Sequence, residues 1–503
     1  MKSIAILLAT DQKTDSVAGF PDDSVRFIDL LRLASDAWKF TVIAMHDNDI
    51  PASVLEHDGV IITGSSCSVN AQYPWLERLF TVIREAHTQQ TPLFGCCFGH
   101  QAIAKALGGE VAANPFGWSA GTEVTEIVRS ESWLPAPGSS IRLYSAHREQ
   151  VVQLPCGARV VGTNARCPIA AMAIGKNIFT TQYHPEMSED FITALVKSMQ
   201  GELGTGVVAA RKSIESGSDM TVFSNCLDAF FRYAGNTANP SGETENRTRF
   251  AEHMTVKAGR LAMEFFRDVS QLKIESKGVQ DLVSNADRDV ETLIRREINE
   301  SFPDDGIIGE EYATQPGTSG FDWVIDPIDG TSNFVRGIPA WSVSIACVQN
   351  RRPVIGSLLD PVNNEHFLCQ RDSGAFLNGK AIQVGASMEL SHGLMGVGTS
   401  HDCETNPVPT MIRLLMERDS MFVRSGSGAL GLAYVSCGRY LGYIEGNMGS
   451  WDCLAGILLA EEAGAIAHEF DCQSMLENGG KVVVATPGVF HDLRAISRAV
   501  LET

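Results

Sequence analysis

The residue types that carry out nucleophilic chemistry are concentrated around Cys97 in this 503-residue chain. Cys97 lies among closely spaced glycines in residues 95–100, after the apolar run PLFG and before a helical pattern. Glycines permit the tight strand-to-helix turn that exposes a nucleophilic side chain, and the next backbone N–H then points toward a developing oxyanion. The spacing therefore predicts a nucleophilic cysteine at such a turn.

A cysteine nucleophile also needs a base, and the segment TTQYHPE places His184 and Glu186 at the end of a predicted strand. Residues two apart in an extended segment lie on the same side, so Glu186 is expected to orient the His184 imidazole. A single cysteine or histidine is more often a packed core residue. The hypothesis therefore depends on the two segments occurring together.

Carboxylates are concentrated further along, in the segment GEEYATQPGTSGFDWVIDPIDGT at residues 309–331. Asp326 and Asp329 flank a proline at the end of an apolar strand, and Glu310 precedes them. Carboxylates this dense repel one another unless a cation neutralises them, and hard oxygen ligands suit Mg²⁺. An isolated pair with this spacing is usually only an acidic turn, so a metal site can be predicted only if the surrounding sequence supports it.

Groups that can receive a phosphate accompany these carboxylates. Gly330 offers a backbone N–H and Thr331 a hydroxyl. Asp452 directly precedes the helical segment CLAGILLAEEAG, whose N-terminal end favours an anion. The second cluster therefore predicts a site for both a metal and a phosphate.

The elements that must position these residues fall into two halves. Up to about residue 107, short apolar runs alternate with amphipathic segments, which predicts a parallel sheet covered on both faces. Strands alone follow over residues 140–184. Residues 235–247, GNTANPSGETENR, are nearly free of apolar side chains and are the predicted linker. A helix over residues 250–266 is expected to begin a second mixed half.

Composition and charge exclude several classes of protein. The chain is 44% hydrophobic and 20% charged, which is typical of globular domains. Its 40 basic and 60 acidic residues give a net charge of -20, which argues against nucleic acids and anionic membranes as partners. Its apolar stretches are too short for a membrane helix or a signal peptide. Twelve thinly spread cysteines favour a reduced, cytoplasmic protein.

The first half resembles the class I glutamine amidotransferase family over about residues 1–205. The resemblance rests on the G-x-C-x-G-H turn followed by the Y-H-P-E segment. Supporting segments are ITGSSCSV (62–69), FGWSAGTE (116–123) and SAHREQVVQLP (145–155), which are most similar to the amidotransferase domain of GMP synthase. This resemblance implies a flavodoxin-like fold.

The same resemblance implies a glutaminase reaction. Cys97 would attack the side-chain amide of L-glutamine, while His184, oriented by Glu186, would transfer the proton. Ammonia would leave, and water would hydrolyse the resulting thioester. The backbone N–H of Phe98 and one near Gly64 would form the oxyanion hole.

The first half departs from the family pattern after Gly64. Ser65 and Ser66 replace the usual Gly-Ser-Pro turn, which is expected to alter glutamine affinity without removing the chemistry. Cys96, beside the nucleophile, is expected to be structural packing.

The second half resembles the inositol monophosphatase family over about residues 246–503. The resemblance rests on Glu310, the DPIDGT segment and the WDxxAG segment, in that order. Further matching segments are DLVSNADRDVE (281–291), GAFLNG (374–379) and GRYLGYIEGNMGSWD (438–452). The fold implied is a layered α/β/α/β/α sugar-phosphatase sandwich.

This second resemblance implies roles for individual residues. Asp287 and Thr331 would activate the attacking water with help from Glu310, and Gly330 and Thr331 would hold the phosphate. Two or three Mg²⁺ ions would stabilise the incoming and departing oxygens. The implied metal ligands are Glu310, Asp326, the Ile328 carbonyl, Asp329 and Asp452.

Departures from this second family lie on the substrate side. The implied contacts to the hydroxylated part of the substrate are Gly426, Ser427, Gly428 and Glu445. Gly428 stands where the family usually has alanine, and Leu441 replaces a common acidic residue. The metal ligands are all present, so the sequence predicts phosphatase chemistry more firmly than a particular substrate.

The whole sequence predicts a bifunctional enzyme with an amidotransferase domain (1–205), a helical extension and linker (206–245) and a phosphatase domain (246–503). Its expected ligands are L-glutamine and a small phosphorylated substrate. A partner synthetase that accepts ammonia and a homodimer are further expectations. Two alternatives stay open: a phosphatase for inositol phosphate, histidinol phosphate or a nucleotide with an idle first domain, or one regulated by a first domain that senses glutamine.

Overall fold

The computed structural model forms two compact units, Met1–Thr237 and Ala238–Thr503. It describes residues 2–9, 17, 19–45, 50–129, 131–234, 242–278, 281–399 and 407–501. Both units mix helices and strands, which confirms the predicted α/β class. Every cysteine among the described residues is a free thiol. None of the helices in this part of the chain combines the length and the apolarity that a membrane crossing requires.

The first unit contains eleven strands and seven helices within its described residues. The strands are β1 (Lys2–Leu8), β2 (Trp38–Ala44), β3 (Gly59–Ile62), β4 (Leu93–Cys96), β5 (Glu110–Ala113), β6 (Ser119–Ile127), β7 (Ser140–His147), β8 (Glu149–Gln153), β9 (Ala158–Thr163), β10 (Ala171–Ile174) and β11 (Ile178–Thr181). The helices are α1 (Asp23–Ala34), α2 (Leu76–Thr88), α3 (Phe98–Ala106), α4 (Glu189–Ser198), α5 (Gln200–Leu203), α6 (Gly206–Ile214) and α7 (Met220–Ala234), with a 3₁₀ turn at Ala52–Glu56.

A nine-stranded sheet in the order β2-β1-β3-β4-β11-β10-β9-β6-β7 organises the first unit. Five neighbouring strands, β2, β1, β3, β4 and β11, run parallel to one another. The remaining four, β10, β9, β6 and β7, each pair antiparallel with their neighbours. The inner parallel strands β3, β4 and β11 are buried along their whole length, as expected of a parallel sheet covered on both faces, whereas the edge strand β2 is partly exposed. Cys96 pairs with Thr181 at the ends of β4 and β11. The segments that follow these two strands therefore emerge side by side.

The helical extension predicted after residue 205 belongs to the core of the first unit as far as Ala234. In α7, the rings of Phe223 and Phe230 pack against Phe94 and Phe179 of the sheet, with centroids 6.0 and 5.7 Å apart. These contacts join α7 to the strands that carry the predicted nucleophile and base.

The second unit contains fourteen strands and eight helices within its described residues. The strands are β12 (Ile274–Gly278), β13 (Asp281–Ser284), β14 (Gly306–Gly309), β15 (Phe321–Asp329), β16 (Ser342–Gln349), β17 (Arg352–Asp360), β18 (Glu365–Gln370), β19 (Ala375–Leu377), β20 (Lys380–Ile382), β21 (Leu394–Val397), β22 (Met421–Val423), β23 (Gly442–Met448), β24 (Ile466–Ala467) and β25 (Gly480–Ala485). The helices are α8 (Gly242–Phe266), α9 (Asn285–Ser301), α10 (Thr331–Phe334), α11 (Val408–Met416), α12 (Gly428–Ser436), α13 (Ser450–Glu462), α14 (Cys472–Asn478) and α15 (Phe490–Leu501), with 3₁₀ turns at Val269–Gln271 and Leu390–His392.

Two sheets and three helical layers alternate in this second unit. Helices α8 and α9 cover a seven-stranded sheet, β14-β15-β16-β17-β18-β19-β20. Helices α12 and α13 lie between it and a five-stranded sheet, β22-β21-β23-β25-β24, whose other side α11 and α15 cover. This is the α/β/α/β/α order that the sequence predicted. The near-complete burial of α12 and α13 follows from their central position.

The predicted linker, 235–247, differs from the structure where it is described. Residues 235–241 lie outside the described part of the chain, whereas residues 242–247 already form the first turns of α8. Acidic residues in the first turn favour a helix N-terminus. Arg247 is also fixed there, since its guanidinium donates two hydrogen bonds to Asp305, at 2.8 and 2.7 Å.

Candidate functional site

Cys97 lies at an abrupt turn between β4 and α3. Its φ of 49° and ψ of -101° belong to a region that non-glycine residues rarely occupy. A Cβ at Gly99 would overlap the carbonyl oxygen of Ile62. One at Gly95 would lie 2.7 Å from the carbonyl oxygen of Gly99. Both glycines are therefore required for the strained turn that presents the Cys97 thiol.

His184 and Glu186 lie beside this turn. The Nδ1 of His184 donates a hydrogen bond to Glu186 Oε1 at 2.8 Å, and its backbone N–H donates to the Tyr144 carbonyl at 2.8 Å. Its Nε2 is buried and has no hydrogen-bond partner in the described part of the chain. A Cβ at Gly64 would lie 2.9 Å from His184 Cε1 and 3.8 Å from Cys97 Cβ. Gly64 therefore borders both side chains.

The charges in this first site stabilise one another. Burial alone would lower the pKa of His184, but the charge of Glu186 and the nearby thiols raise it well above its ordinary value. Burial likewise opposes ionisation of Glu186, but His184 and then Arg26 keep its pKa below the ordinary value. The pair is therefore an imidazolium and a carboxylate.

Two side chains of this site were not predicted to take part. Cys96, predicted to be packing, places its Sγ 3.5 Å from Glu186 Oε2 and 3.8 Å from His184 Nδ1. Gln182 directs its Nε2 toward Cys97 Sγ at 3.6 Å. Gln182 is two residues before His184, so strand alternation could have indicated it. Phe98, the predicted oxyanion donor, is the first residue of α3, where backbone amides lack intrahelical partners.

In the second unit, the structure brings three predicted metal ligands together. One carboxylate oxygen from each of Asp326, Asp329 and Asp452 lies within 4.8 Å of the others. Asp326 Oδ1 accepts a hydrogen bond from the Ile328 N–H at 2.9 Å, while its Oδ2 is buried without a partner among the described residues. A buried, unpartnered carboxylate oxygen beside two further carboxylates fits a hard divalent cation such as Mg²⁺.

Asp329 is held by the N-terminus of α12. It accepts hydrogen bonds from the Ser427 hydroxyl and from the N–H groups of Gly428 and Ala429, at 3.3 and 3.0 Å. The hydroxyl of Ser342 donates to it as well, at 3.2 Å. Ser427 and Gly428, predicted as substrate contacts, therefore also position a predicted metal ligand.

Asp287 and Thr331, the predicted activators of water, are in contact. The Thr331 hydroxyl is 3.1 Å from Asp287 Oδ1 and 3.0 Å from the Ile328 carbonyl, either of which it can donate to. Asp287 Oδ2 accepts from the hydroxyl and N–H of Ser284, at 2.7 and 2.9 Å. Gly330, at φ 94°, makes the turn that leads into Thr331.

A cavity of about 480 Å³ opens beside the carboxylates. Its walls include the predicted residues Glu310, Asp329, Asp452, Gly426, Ser427, Gly428 and Glu445. Arg424 and Tyr443, which the sequence did not single out, line it too. The Tyr443 hydroxyl donates to Glu445 Oε2 at 2.6 Å. Tyr443 is two residues before Glu445 on β23, so strand alternation again could have indicated it.

The electrostatics of the second site favour protons or cations. Burial, followed by the charges of Glu310 and Asp452, raises the pKa of Asp326 well above its ordinary value. Burial and the charge of Asp452 raise that of Asp329 to about 7. Burial raises the pKa of Glu445 to about 8, and burial also raises that of Asp287. A bound cation would remove the repulsion that makes these carboxylates hard to ionise.

Comparison with known proteins assigns each unit to a family. Residues 243–500 match the inositol monophosphatase family, and residues 31–191 match the class I glutamine amidotransferases. An inositol-1-monophosphatase of Rhizobium meliloti (strain 1021) is 35% identical over 244 residues, 48% of this chain and 91% of that protein. A histidinol-phosphatase of Chlorobaculum parvum is 34% identical over 247 residues, 49% of this chain and 95% of that protein.

A solved structure also matches part of this chain. The crystal structure of the extragenic suppressor protein SuhB from Bartonella henselae shares 33% identity, covers 49% of this chain and 97% of its own, and has a TM-score of 0.47. The family matches confirm both resemblances predicted from the motifs.

Proposed function

Because this chain belongs to the inositol monophosphatase family, we propose that it is a Mg²⁺-dependent phosphomonoesterase joined to a glutamine-hydrolysing domain. The observation that carries the proposal is the convergence of Asp326, Asp329 and Asp452 beside a polar cavity. A cavity of about 480 Å³ is suited to a small molecule. The proposed substrate is a small phosphorylated polyol, sugar or nucleotide.

The metal would be held by Glu310, Asp326, the Ile328 carbonyl, Asp329 and Asp452. When bound, Mg²⁺ supplies Lewis-acid stabilisation of the negative charge on the phosphoryl group and the leaving oxygen. The number of ions, two or three by family resemblance, is part of the proposal.

The Asp287–Thr331 pair would prepare the attacking water. Thr331 can accept a hydrogen bond from the water while its own hydroxyl donates to Asp287, at 3.1 Å. A proton leaving the water can thus pass through Thr331 to Asp287. Because burial raises the pKa of Asp287, this carboxylate is a stronger base than an exposed one. Gly330 and Thr331 would hold the phosphate, and Glu310 would assist.

The hydroxylated part of the substrate would occupy the remainder of the cavity. Glu445 can accept a hydrogen bond from a substrate hydroxyl, and the neighbouring Tyr443 hydroxyl fixes the Glu445 side chain. Gly426, Ser427 and Gly428 would contact the substrate from the start of α12. Relatives named inositol-1-monophosphatase and histidinol-phosphatase make both phosphate esters candidate substrates.

In the first unit, Cys97 would transfer its thiol proton to Nε2 of His184 and attack the side-chain amide carbon of glutamine as a thiolate. The oxyanion would be received by the Phe98 N–H and by a backbone N–H near Gly64. His184, held in its charged form by Glu186, would donate the Nε2 proton to the departing ammonia. Water would then hydrolyse the thioester to glutamate and restore the thiol.

Phosphate release in the presence of Mg²⁺ tests the phosphatase proposal. The panel would contain inositol, histidinol, sugar and nucleotide monophosphates, assayed with wild type, Asp329→Asn and the control Asp492→Asn, whose carboxylate is exposed on α15. We expect one class of ester to be preferred, with activity lost in Asp329→Asn and kept in the control. Equal activity in Asp329→Asn would contradict the proposed metal site.

Trapping with an electrophilic glutamine analogue tests the glutaminase proposal. Covalent labelling at Cys97 together with glutamate release from glutamine is expected, and both should be absent from Cys97→Ser. Cys226→Ser, which changes a buried thiol in α7, is the control. Glutamine binding without turnover in wild type would instead favour the sensing alternative.

A further inference from the structure

The side chains of Cys96, His184 and Glu186 form a compact cluster of potential metal ligands in the first unit. Cys96 Sγ lies 3.8 Å from His184 Nδ1 and 3.5 Å from Glu186 Oε2. Glu186 Oε1 lies 2.8 Å from His184 Nδ1. All three residues are at most 5% exposed. The nucleophile Cys97 is not needed to complete this cluster.

We propose that this cluster is an inhibitory binding site for a thiophilic divalent cation, Zn²⁺ above all. The proposal goes beyond glutamine hydrolysis and phosphate release, and binding itself depends on neither activity. Thiolate and imidazole ligands select Zn²⁺ over Mg²⁺, which prefers hard oxygen ligands. The chain would therefore carry two metal sites of opposite preference.

The distances fit a tetrahedral ion. With Zn–S near 2.3 Å and Zn–N and Zn–O near 2.0–2.1 Å, a tetrahedral site separates sulfur from nitrogen or oxygen by about 3.5 Å. The two separations from Cys96 Sγ, 3.8 and 3.5 Å, are close to that value. The imidazole and carboxylate, 2.8 Å apart in their hydrogen bond, would need to separate by about half an ångström. The Tyr183 carbonyl oxygen, 3.4 Å from the sulfur, offers a fourth ligand.

The charges and protons balance when the ion is bound. Binding would release one proton from the Cys96 thiol and one from His184 Nδ1, and both would pass to solvent. The resulting thiolate and the Glu186 carboxylate would neutralise the two positive charges of the ion.

Metal at Nδ1 would block catalysis through the imidazole itself. A neutral imidazole whose Nδ1 is occupied by metal keeps only its Nε2 proton and is a much weaker acid than the imidazolium, so it no longer donates that proton to the departing ammonia. The ion would also take Glu186 away from its orienting role. This inhibitory consequence rests on the proposed glutamine hydrolysis.

Cobalt binding tests the site directly, because a thiolate bound to Co²⁺ gives a charge-transfer band in the near ultraviolet. The full-length protein would be titrated with Co²⁺ in excess Mg²⁺, which keeps the carboxylate site of the second unit occupied. We expect one thiolate-bound cobalt per chain in wild type, in Cys97→Ser and in the buried-thiol control Cys226→Ser. Zn²⁺ should displace the cobalt and abolish the band.

Two variants separate this proposal from its competitors. Cys96→Ser should lose the band. His184→Asn, which keeps the thiol, should weaken cobalt binding by about 100-fold or more. A band that persists in Cys96→Ser, a band lost in Cys97→Ser, or no band in wild type would each overturn the proposal.

Inhibition is the second readout. If wild type releases glutamate, Zn²⁺ should inhibit it, and Cys96→Ser should need a Zn²⁺ concentration at least about tenfold higher for the same fractional inhibition. Equal sensitivity of the two proteins would overturn the inhibitory role. If wild type releases no glutamate, the proposed glutaminase fails, and the cobalt band still decides whether the metal binds.

Discussion

At the level of single residues, the carboxylates of the second unit lie where their charged forms are unfavourable unless a cation is bound. Burial of Asp329 removes the water that would solvate its charge, while Ser427 and the α12 amides only partly replace that water. Ionisation of these buried carboxylates therefore destabilises the folded unit, and a bound metal ion removes that destabilisation. The stability of the unit should therefore depend on both pH and Mg²⁺.

We expect the metal-free second unit to lose stability as the pH rises from about 4 to about 7. Burial raises the pKa of Asp329 from 3.8 to about 7, so the folded state binds this proton more tightly than the unfolded state. The stabilisation is complete below the pKa of the unfolded state and is lost as the pH rises through the pKa of the folded state, a change on the order of 4 kcal/mol.

Thermal unfolding in a chelator across this pH range measures the effect. Mg²⁺ should reduce the dependence of the melting temperature on pH. Asp329→Asn should also reduce this dependence when the chelator is present. A melting temperature of the metal-free unit that rises steadily from pH 4 to pH 7 would contradict the assignment.

The Tyr443 hydroxyl is expected to act on substrate binding through Glu445. Tyr443→Phe removes a 2.6 Å hydrogen bond to Glu445, so the carboxylate is no longer fixed toward the cavity. Loss of one such bond is worth about 1 kcal/mol, which corresponds to about a fivefold rise in KM with kcat little changed. Steady-state kinetics with the preferred ester measure this. Tyr440→Phe, another buried tyrosine, should leave KM unchanged.

Cys96 and Tyr443 were not predicted to take part because their roles depend on contacts with residues that are distant or unplaced in the sequence. Cys96 looks like an apolar filler because its position in β4 is buried, and only the fold brings His184 and Glu186 against its sulfur. Tyr443 lies in a strand whose alternation is visible in the sequence, yet its partner is known only once Glu445 is placed in the cavity.

At the level of elements, the start of α3 shows that apolar periodicity does not locate the first residue of a helix. The sequence predicted a helix after residue 100, whereas α3 begins at Phe98 because the positive φ of Cys97 changes strand to helix within one residue. Likewise α13 begins at Ser450 rather than near residue 453, since Asp452 accepts the Gly449 N–H at 3.1 Å. Apolar periodicity predicted both elements, but their first residues depend on turn geometry.

We expect Gly99→Ala to disrupt the turn that carries Cys97. The added methyl would overlap the Ile62 carbonyl oxygen of the neighbouring strand, and neither backbone can move without disturbing the sheet. The variant should be less stable by about 1–3 kcal/mol and should lose glutamate release. Denaturant unfolding and a glutaminase assay measure the two effects. Gly201→Ala, at a helical position with open space around it, should lower neither stability nor glutamate release.

The N-terminus of α12 is expected to couple helix stability to the metal site. Ser427 accepts from the Leu430 N–H at 3.2 Å as the N-cap of α12, and its hydroxyl donates to Asp329. Ser427→Ala should reduce stability by about 1 kcal/mol and raise the Mg²⁺ concentration needed for activity. Ser188→Ala removes the N-cap of α4, whose Phe191 N–H is 3.2 Å away. Ser188→Ala should lower stability but leave the Mg²⁺ requirement unchanged, whereas Ser427→Ala should alter both.

At the level of the whole molecule, each unit has its own core and its own candidate site. The aromatic cluster around Phe94 and Phe179 belongs to the first unit, and the core around Trp323 and Trp341 belongs to the second. All the residues proposed for glutamine hydrolysis lie in the first unit, and all those proposed for phosphate release lie in the second. The two activities should therefore be separable by single substitutions.

The presence of both domains in one chain suggests a pathway that uses phosphate release and ammonia together. We propose that a synthetase associates with the protein and accepts the ammonia. Co-purification followed by cross-linking in the presence of glutamine measures this association. Free ammonia released in proportion to glutamate, with no partner recovered, would contradict it.

The most direct test of the account measures phosphate and glutamate release on the same preparations of wild type, Cys97→Ser and Asp329→Asn. We predict that wild type releases both products, that Cys97→Ser loses only glutamate release and that Asp329→Asn loses only phosphate release. Loss of both activities in either variant would contradict the separation of the sites. Retention of phosphate release in Asp329→Asn would contradict the proposed catalytic centre itself.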